Sequence, residues 1–271
     1  MKKIVGVFFL MLLLSACEQP ATESVADKPE PVAPAAADVA VAAEPVQKPA
    51  PLQVYLLYKV EEPGVEPYES RIIITDEYIR LDENKDGNDF VLVDRKKETV
   101  YSVSSDNDAI LVVKRKPVTV TSPIELHPDT VRTLEKNAPQ IDGRELAHYI
   151  FKINGEACQD AMIAEGLMKG ATEAIAEYRN ILAGQHASTF SSTPADLRNA
   201  CDMAMHIFQP DRYLQFGLPV HERDHTGYQR SLIDFDDAYE VNPALFTLPA
   251  EFGQFSIDEM QVAPADPATT S

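Results

Sequence analysis

The sharpest chemical pattern in the chain is His221-Glu222-Arg223-Asp224-His225, a literal match to HExxH. On a helix, positions i and i+4 share a face, so two such histidines can hold one zinc while the glutamate acts as general base. Gly217 and Pro219 lie just before this run and Gly227 just after it, leaving little room for a helix. On a strand the two histidines would stand ~13 Å apart, at ~3.3 Å per residue. Zinc–nitrogen bonds of ~2.1 Å could not span that gap. No third ligand at metzincin spacing follows. The expectation is a polar, solvent-facing hairpin, with a zinc peptidase using His221, Glu222 and His225 as the remote alternative.

Other runs imitate chemistry less closely. Asp82-x-Asn84-x-Asp86-Gly87 looks like the front of an EF-hand loop, but the twelfth position is Val93 where a bidentate Glu is needed. A hairpin turn is the simpler reading, and a weak calcium site stays open. Asp234, Asp236 and Asp237 are carboxylates of the kind glycosidases pair, set against a solvated strand end in an acidic chain. Arg95-Lys96-Lys97 and Lys114-Arg115-Lys116 are basic clusters; they read as charges that block edge-to-edge association, or else as contacts to anionic headgroups. His206 falls off the apolar face of its expected helix and reads as a solvated surface residue. There is no Gly-rich phosphate loop, no Gly-x-Ser-x-Gly and no CxxC. No cofactor or resident metal is expected, and the chain reads as a non-enzyme.

What carries these residues is a chain of 271 residues with 24 Lys+Arg against 43 Asp+Glu, a net charge of −19. The acid excess argues against nucleic acid, whose phosphates are bound by Lys and Arg. Lys2 and Lys3 precede an apolar run from Ile4 to Leu14, too short for a membrane span and suited to a signal peptide. Leu14-Ser15-Ala16-Cys17 follows and resembles the bacterial lipoprotein signal. That resemblance implies removal of residues 1–16 and acylation of Cys17. Three acyl chains would anchor the protein to a membrane without spanning it. Glu18, in place of the Asp that retains lipoproteins in the inner membrane, points to the outer membrane, facing the periplasm.

Residues 17–52 follow as a tether. From Glu18 to Leu52 there are seven Pro, six acids and two Lys, with no aromatic residue, too little apolar surface to offset ordering. Cys158 and Cys201 remain. In an oxidising compartment they suggest one disulfide, with two free buried thiols as the alternative.

A folded domain is expected over 53–262, with a loose Pro, Ala and Thr-rich tail at 263–271. Short β-branched and aromatic runs separated by turn residues predict strands at Val54–Val60, Tyr68–Thr75, Tyr78–Asp82, Asp89–Asp94, Thr99–Ser104 and Ala109–Arg115. They form an up-and-down antiparallel meander. After a Pro-spaced connection, Leu146–Ile153 and Glu156–Ala164 flank Asn154-Gly155, a two-residue hairpin turn. Apolar residues from Leu167 to Leu182 recur at helical spacing, with Gly184 placed to end that helix. A second helix is predicted from Thr193 as N-cap, with Pro194, Asp196 and an apolar face of Leu197, Cys201, Ala204 and Phe208. A last hairpin covers Leu218–Arg223 and Tyr228–Phe235.

The meander, the inserted helix pair, Gly217-Leu218-Pro219-Val220 and Leu245-Phe246-Thr247-Leu248-Pro249 together resemble the LolA/LolB-like superfamily, in its uncharacterised lipoprotein branch. The resemblance covers most of residues 54–260. It implies a mainly β fold with α, a curved antiparallel half-barrel sheet carrying an inserted helical pair, and an apolar cavity that holds acyl chains, with no catalytic residues. Phe90, Tyr101, Tyr149, Phe151 and Phe216 are the candidate cavity wall, each facing either side of its strand until the register is known. The expected partners are the membrane through the lipid anchor, a lipid or acyl-chain ligand, or an envelope protein on a scaffold with no ligand.

Overall fold

The computed structural model of the chain describes residues 50–87, 89–190, 193–194, 198–257 and 259. The signal segment 1–16, Cys17, the tether up to residue 49 and the 263–271 tail lie outside the described residues, as do Asp196 and Leu197. The fold is mainly β, one open and curved sheet of twelve strands with helices packed on it as in a half-barrel.

The strands are β1 (Gln53–Glu61), β2 (Tyr68–Thr75), β3 (Tyr78–Asp82), β4 (Phe90–Asp94), β5 (Thr99–Ser104), β6 (Ala109–Lys114), β7 (Pro128–Leu134), β8 (Leu146–Ile153), β9 (Glu156–Glu165), β10 (Gly217–Asp224), β11 (Gln229–Asp236) and β12 (Gly253–Ser256). They lie in the order β12-β6-β5-β4-β3-β2-β1-β11-β10-β9-β8-β7. Two meanders, β1–β6 and β7–β11, therefore join where β1 pairs antiparallel with β11. Between β9 and β10 the chain forms α1 (Lys169–Thr189), the short α2 (Ala200–Met203) and one π turn, Ala204–Phe208.

Alternation along β4, β5 and β6 sorts the core into two layers. Val91, Val93, Val100, Leu111 and Val113 join the main core on the face covered by α1. Their neighbours Phe90, Leu92, Tyr101, Val103, Ile110 and Val112 form a second cluster on the other face, with Phe246, Leu248 and Phe252 of the C-terminal segment. At 21 residues, α1 is about 32 Å long. That suffices to run from β10 to β5 and β6, the strands it touches on either side of the curve. Register shifts in β1, β8–β9 and β9–β10 add the local twist that a curved sheet needs. Asn154 and Gly155, both at positive φ (54° and 85°), make the expected tight hairpin turn.

Cys158 and Cys201 form a disulfide, 43 residues apart in sequence, that ties β9 to α2 within a small apolar cluster. In the chain-entropy picture such a loop stabilises the fold by ~4 kcal/mol.

Several sequence expectations are corrected. Gly184 does not end α1, which continues to Thr189. A Cβ there would stand 2.1 Å from the Lys116 carbonyl oxygen, so the glycine marks a close backbone approach instead of a cap. The second helix is capped by Asn199, whose side chain accepts from the Asp202 N–H, and Thr193 lies in the preceding bend. The Pro-spaced connection contains the edge strand β7, and β12 adds to β6 in parallel; neither was expected. Leu52, assigned to the tether, packs against the core beside Gly170.

Gly184→Ala tests the close approach. In an exposed helix interior this change stabilises by ~1 kcal/mol. Here the methyl group meets a backbone carbonyl, so the expected result is a fall in the urea midpoint. A rise would contradict the packing of α1 on the segment after β6.

Candidate functional site

The HExxH residues lie on β10 and the turn after it, not on a helix. His221 Nδ1 is 2.9 Å from Ser231 Oγ on β11. His225 is past the strand end, with its backbone N–H donating to the Cys158 carbonyl at 3.0 Å and its Nε2 3.2 Å from Asp202. Among the described residues, no three His, Cys, Asp or Glu side chains are arranged to hold a metal ion.

Glu222 is not solvent-facing as expected: its side chain is 7% exposed. It stands directly across from Arg230 in the β10–β11 register, with Arg230 Nε 2.7 Å from Glu222 Oε1. The contact is an ion pair without the alignment of a hydrogen bond. The Arg230 guanidinium lies 4.4 Å from the ring centre of Tyr58. Burial opposes the Arg230 charge, and the facing Glu222 carboxylate more than restores it, so Arg230 stays protonated. Burial likewise pushes the Tyr58 hydroxyl far above its usual range; it donates to the Pro219 carbonyl at 3.1 Å. The Gly-Leu-Pro-Val motif therefore serves packing. Gly217, at φ +144°, has the Ala164 carbonyl 2.2 Å from where a Cβ would be. Pro219 sits before the stretch of β10 that pairs with β11, so its missing N–H costs no rung there. Sequence reasoning missed Arg230. The signal was present: the turn at 224–228 places Glu222 and Arg230 opposite one another in a hairpin.

The EF-hand-like run is also an ion-pair half. Arg71 reaches both Asp82 oxygens at 2.9 and 2.8 Å, Arg80 adds a third bond at 2.7 Å, and Asp86 pairs with Arg71 at 2.6 Å. Arg80 also donates to the Leu245 carbonyl at 2.7 Å, clamping the C-terminal segment to the sheet. Of the basic clusters, Arg95 pairs with Glu177 of α1, Lys97 with Asp94 and Arg115 with Glu98. Asp234, Asp236 and Asp237 are exposed, and the first two accept from nearby backbone N–H groups. His206 is at the surface, its ring centre 5.6 Å from that of His186.

The five candidate wall residues divide between the faces. Phe90 and Tyr101 belong to the cluster under the C-terminal segment. Tyr149, Phe151 and Phe216 come together on the other side, with centroid separations of 4.5 to 5.8 Å. Phe216 also lines a cleft of about 310 Å³ between the start of α1 and the segment before β10, with Thr172, Ala176 and Leu214. The charged Lys169, Glu173 and Asp211 also line it. Below the aromatic trio, Arg132 bonds Glu165 through two nitrogens at 2.7 Å, which with the Tyr149 hydroxyl holds the Glu165 carboxyl down at about 2.

Glu222→Ala would leave Arg230 buried without its counterion, at an expected loss of ~3–5 kcal/mol in urea unfolding. The double change Glu222→Leu with Arg230→Met should recover most of it. An unaltered midpoint for Glu222→Ala would show that the glutamate is not a structural ion-pair partner.

No family model matches the chain, and no curated protein matches it. Among solved structures, an uncharacterised conserved protein from Thermus thermophilus is similar at a TM-score of 0.39 and 9% identity, over 75% of this chain and 90% of that one. Two structures of PNGF-II are similar at a TM-score of 0.37, with 8% and 10% identity over 78% of this chain. This chain spans 32% of the length of PNGF-II. Likenesses this low carry no argument about activity.

Proposed function

We propose that this is a lipid-anchored, periplasm-facing outer-membrane protein whose half-barrel domain, of LolA/LolB-like type, binds an apolar ligand of the acyl-chain class without catalysing a reaction. The anchor rests on the Leu-Ser-Ala-Cys sequence ending at Cys17. The ligand reading rests on one observation, the cleft beside the aromatic trio. Its volume of about 310 Å³ is at the lower end for ligand sites. Ala176, Leu214 and Phe216 supply apolar wall beside the charged Lys169, Glu173 and Asp211. Six methylenes of an acyl chain buried there would contribute about 5 kcal/mol.

The test is native mass spectrometry of the full chain, purified gently from membranes. A non-covalent adduct with the mass of a phospholipid or fatty acid is expected, lost on collisional activation and absent in Ala176→Arg. A bare lipoprotein mass for the unaltered chain would overturn the ligand reading and favour a scaffold that binds an envelope protein.

A further inference from the structure

A row of three side chains crosses β8, β9 and β10 on the sheet face away from Tyr149. In the β8–β9 register His148 stands opposite Met162, and in the β9–β10 register Met162 stands opposite His221. Directly paired residues project to the same face. Their chain neighbours Tyr149, Ala161 and Glu222 are buried and project the other way. His148, Met162 and His221 are each half-buried, so the row is open to solvent.

Each histidine has one ring nitrogen held from outside the row. His148 Nε2 lies 2.8 Å from Asp160 Oδ2, and His221 Nδ1 lies 2.9 Å from Ser231 Oγ. With the Asp160 carboxylate accepting from Nε2–H, the lone pair of neutral His148 is on Nδ1. With Ser231 Oγ accepting from Nδ1–H, the lone pair of neutral His221 is on Nε2. Histidines that ligate metals are oriented in this way, by a polar partner on the second ring nitrogen.

The spacing suits one ion. Directly paired residues have Cβ atoms about 5 Å apart, and metal bonds to nitrogen and sulfur run to about 2.0 and 2.3 Å. An ion above Met162 is within reach of the thioether and of the imidazole on either side. The three rotatable bonds of Met162 let its sulfur follow the ion. The donors are two neutral imidazoles and a thioether, with no carboxylate among them. Such a set brings no charge to offset a divalent ion, and thioether sulfur selects soft, monovalent copper.

We propose that His148, Met162 and His221 form a copper(I) site on this open sheet face. Asp160 and Ser231 orient its two histidines. The site is separate from the acyl-chain cleft and does not depend on it.

Titration of the copper(I) complex of bicinchoninate with the full chain in detergent, under argon with ascorbate, tests it. Withdrawal of one copper per chain is expected. Met162→Leu, which keeps the side-chain volume, and His221→Gln should each weaken binding about tenfold or more, a loss seen even for outer partners of metal ligands. Urea midpoints check that both variants fold, and mass spectrometry checks that the Cys158–Cys201 disulfide stays closed. No withdrawal of copper would overturn the proposal. Copper bound equally well by both variants would place the ion elsewhere and overturn it too. Zinc(II) held as tightly as copper(I), and unaffected by Met162→Leu, would show a site without the thioether, contrary to this assignment.

Discussion

Helix α1 must lie close against a sheet that curves away from it, and the contact of Gly184 with the backbone of Lys116 is what allows this. A twelve-stranded sheet leaves long apolar stretches on both faces, and no strand can cover them. One helix of 21 residues covers one face by running from β10 to β5 and β6. A side chain at position 184 would hold the helix off the segment after β6 and open the layer of valines beneath it. The same helix brings Ala176 to the cleft beside Phe216 at one place and Arg179 to the polar cleft lined by Glu222 and Arg230 at another. One helix thus lines both clefts.

The charged interior has a simpler logic. In Glu222–Arg230 and in Arg71–Asp82–Arg80, an acid on one strand is met by an arginine on the same or the next strand. A lone buried charge would be costly, and a pair in fixed cross-strand register is tolerable. This accounts for two sequence runs that resemble metal sites. Their carboxylates are already neutralised by guanidinium groups, leaving little charge for zinc or calcium to compensate. In the second cluster the clamp has another effect, because Arg80 also holds the Leu245 carbonyl and so fixes the segment that covers Phe90 and Tyr101.

How far this was legible in the sequence depended on the range of the forces involved. Strands bounded by turn residues, such as Tyr68–Thr75 and Leu146–Ile153, match the sequence reading end for end, because alternation and turns are local. The disulfide followed from cysteine number and the expected compartment. Strand β7 was invisible because, as a mostly exposed edge, it shows no alternation of buried and exposed residues. Strand β12, four residues long, owes its conformation to the free edge of β6 and not to its own composition. The cap at Asn199 was masked by an equally plausible Thr193-Pro194. The five aromatics could be named but not assigned to faces, and the register split them two and three. Arg230 was missed because its importance arises only when β10 and β11 pair.

We propose entry of an acyl chain between the start of α1 and the segment before β10. Hydrogen–deuterium exchange of the full chain with and without dodecanoate tests it most directly. Added protection concentrated in residues 166–176 and 211–217 is expected. Protection confined to other parts of the domain, or none at saturating dodecanoate, would contradict it.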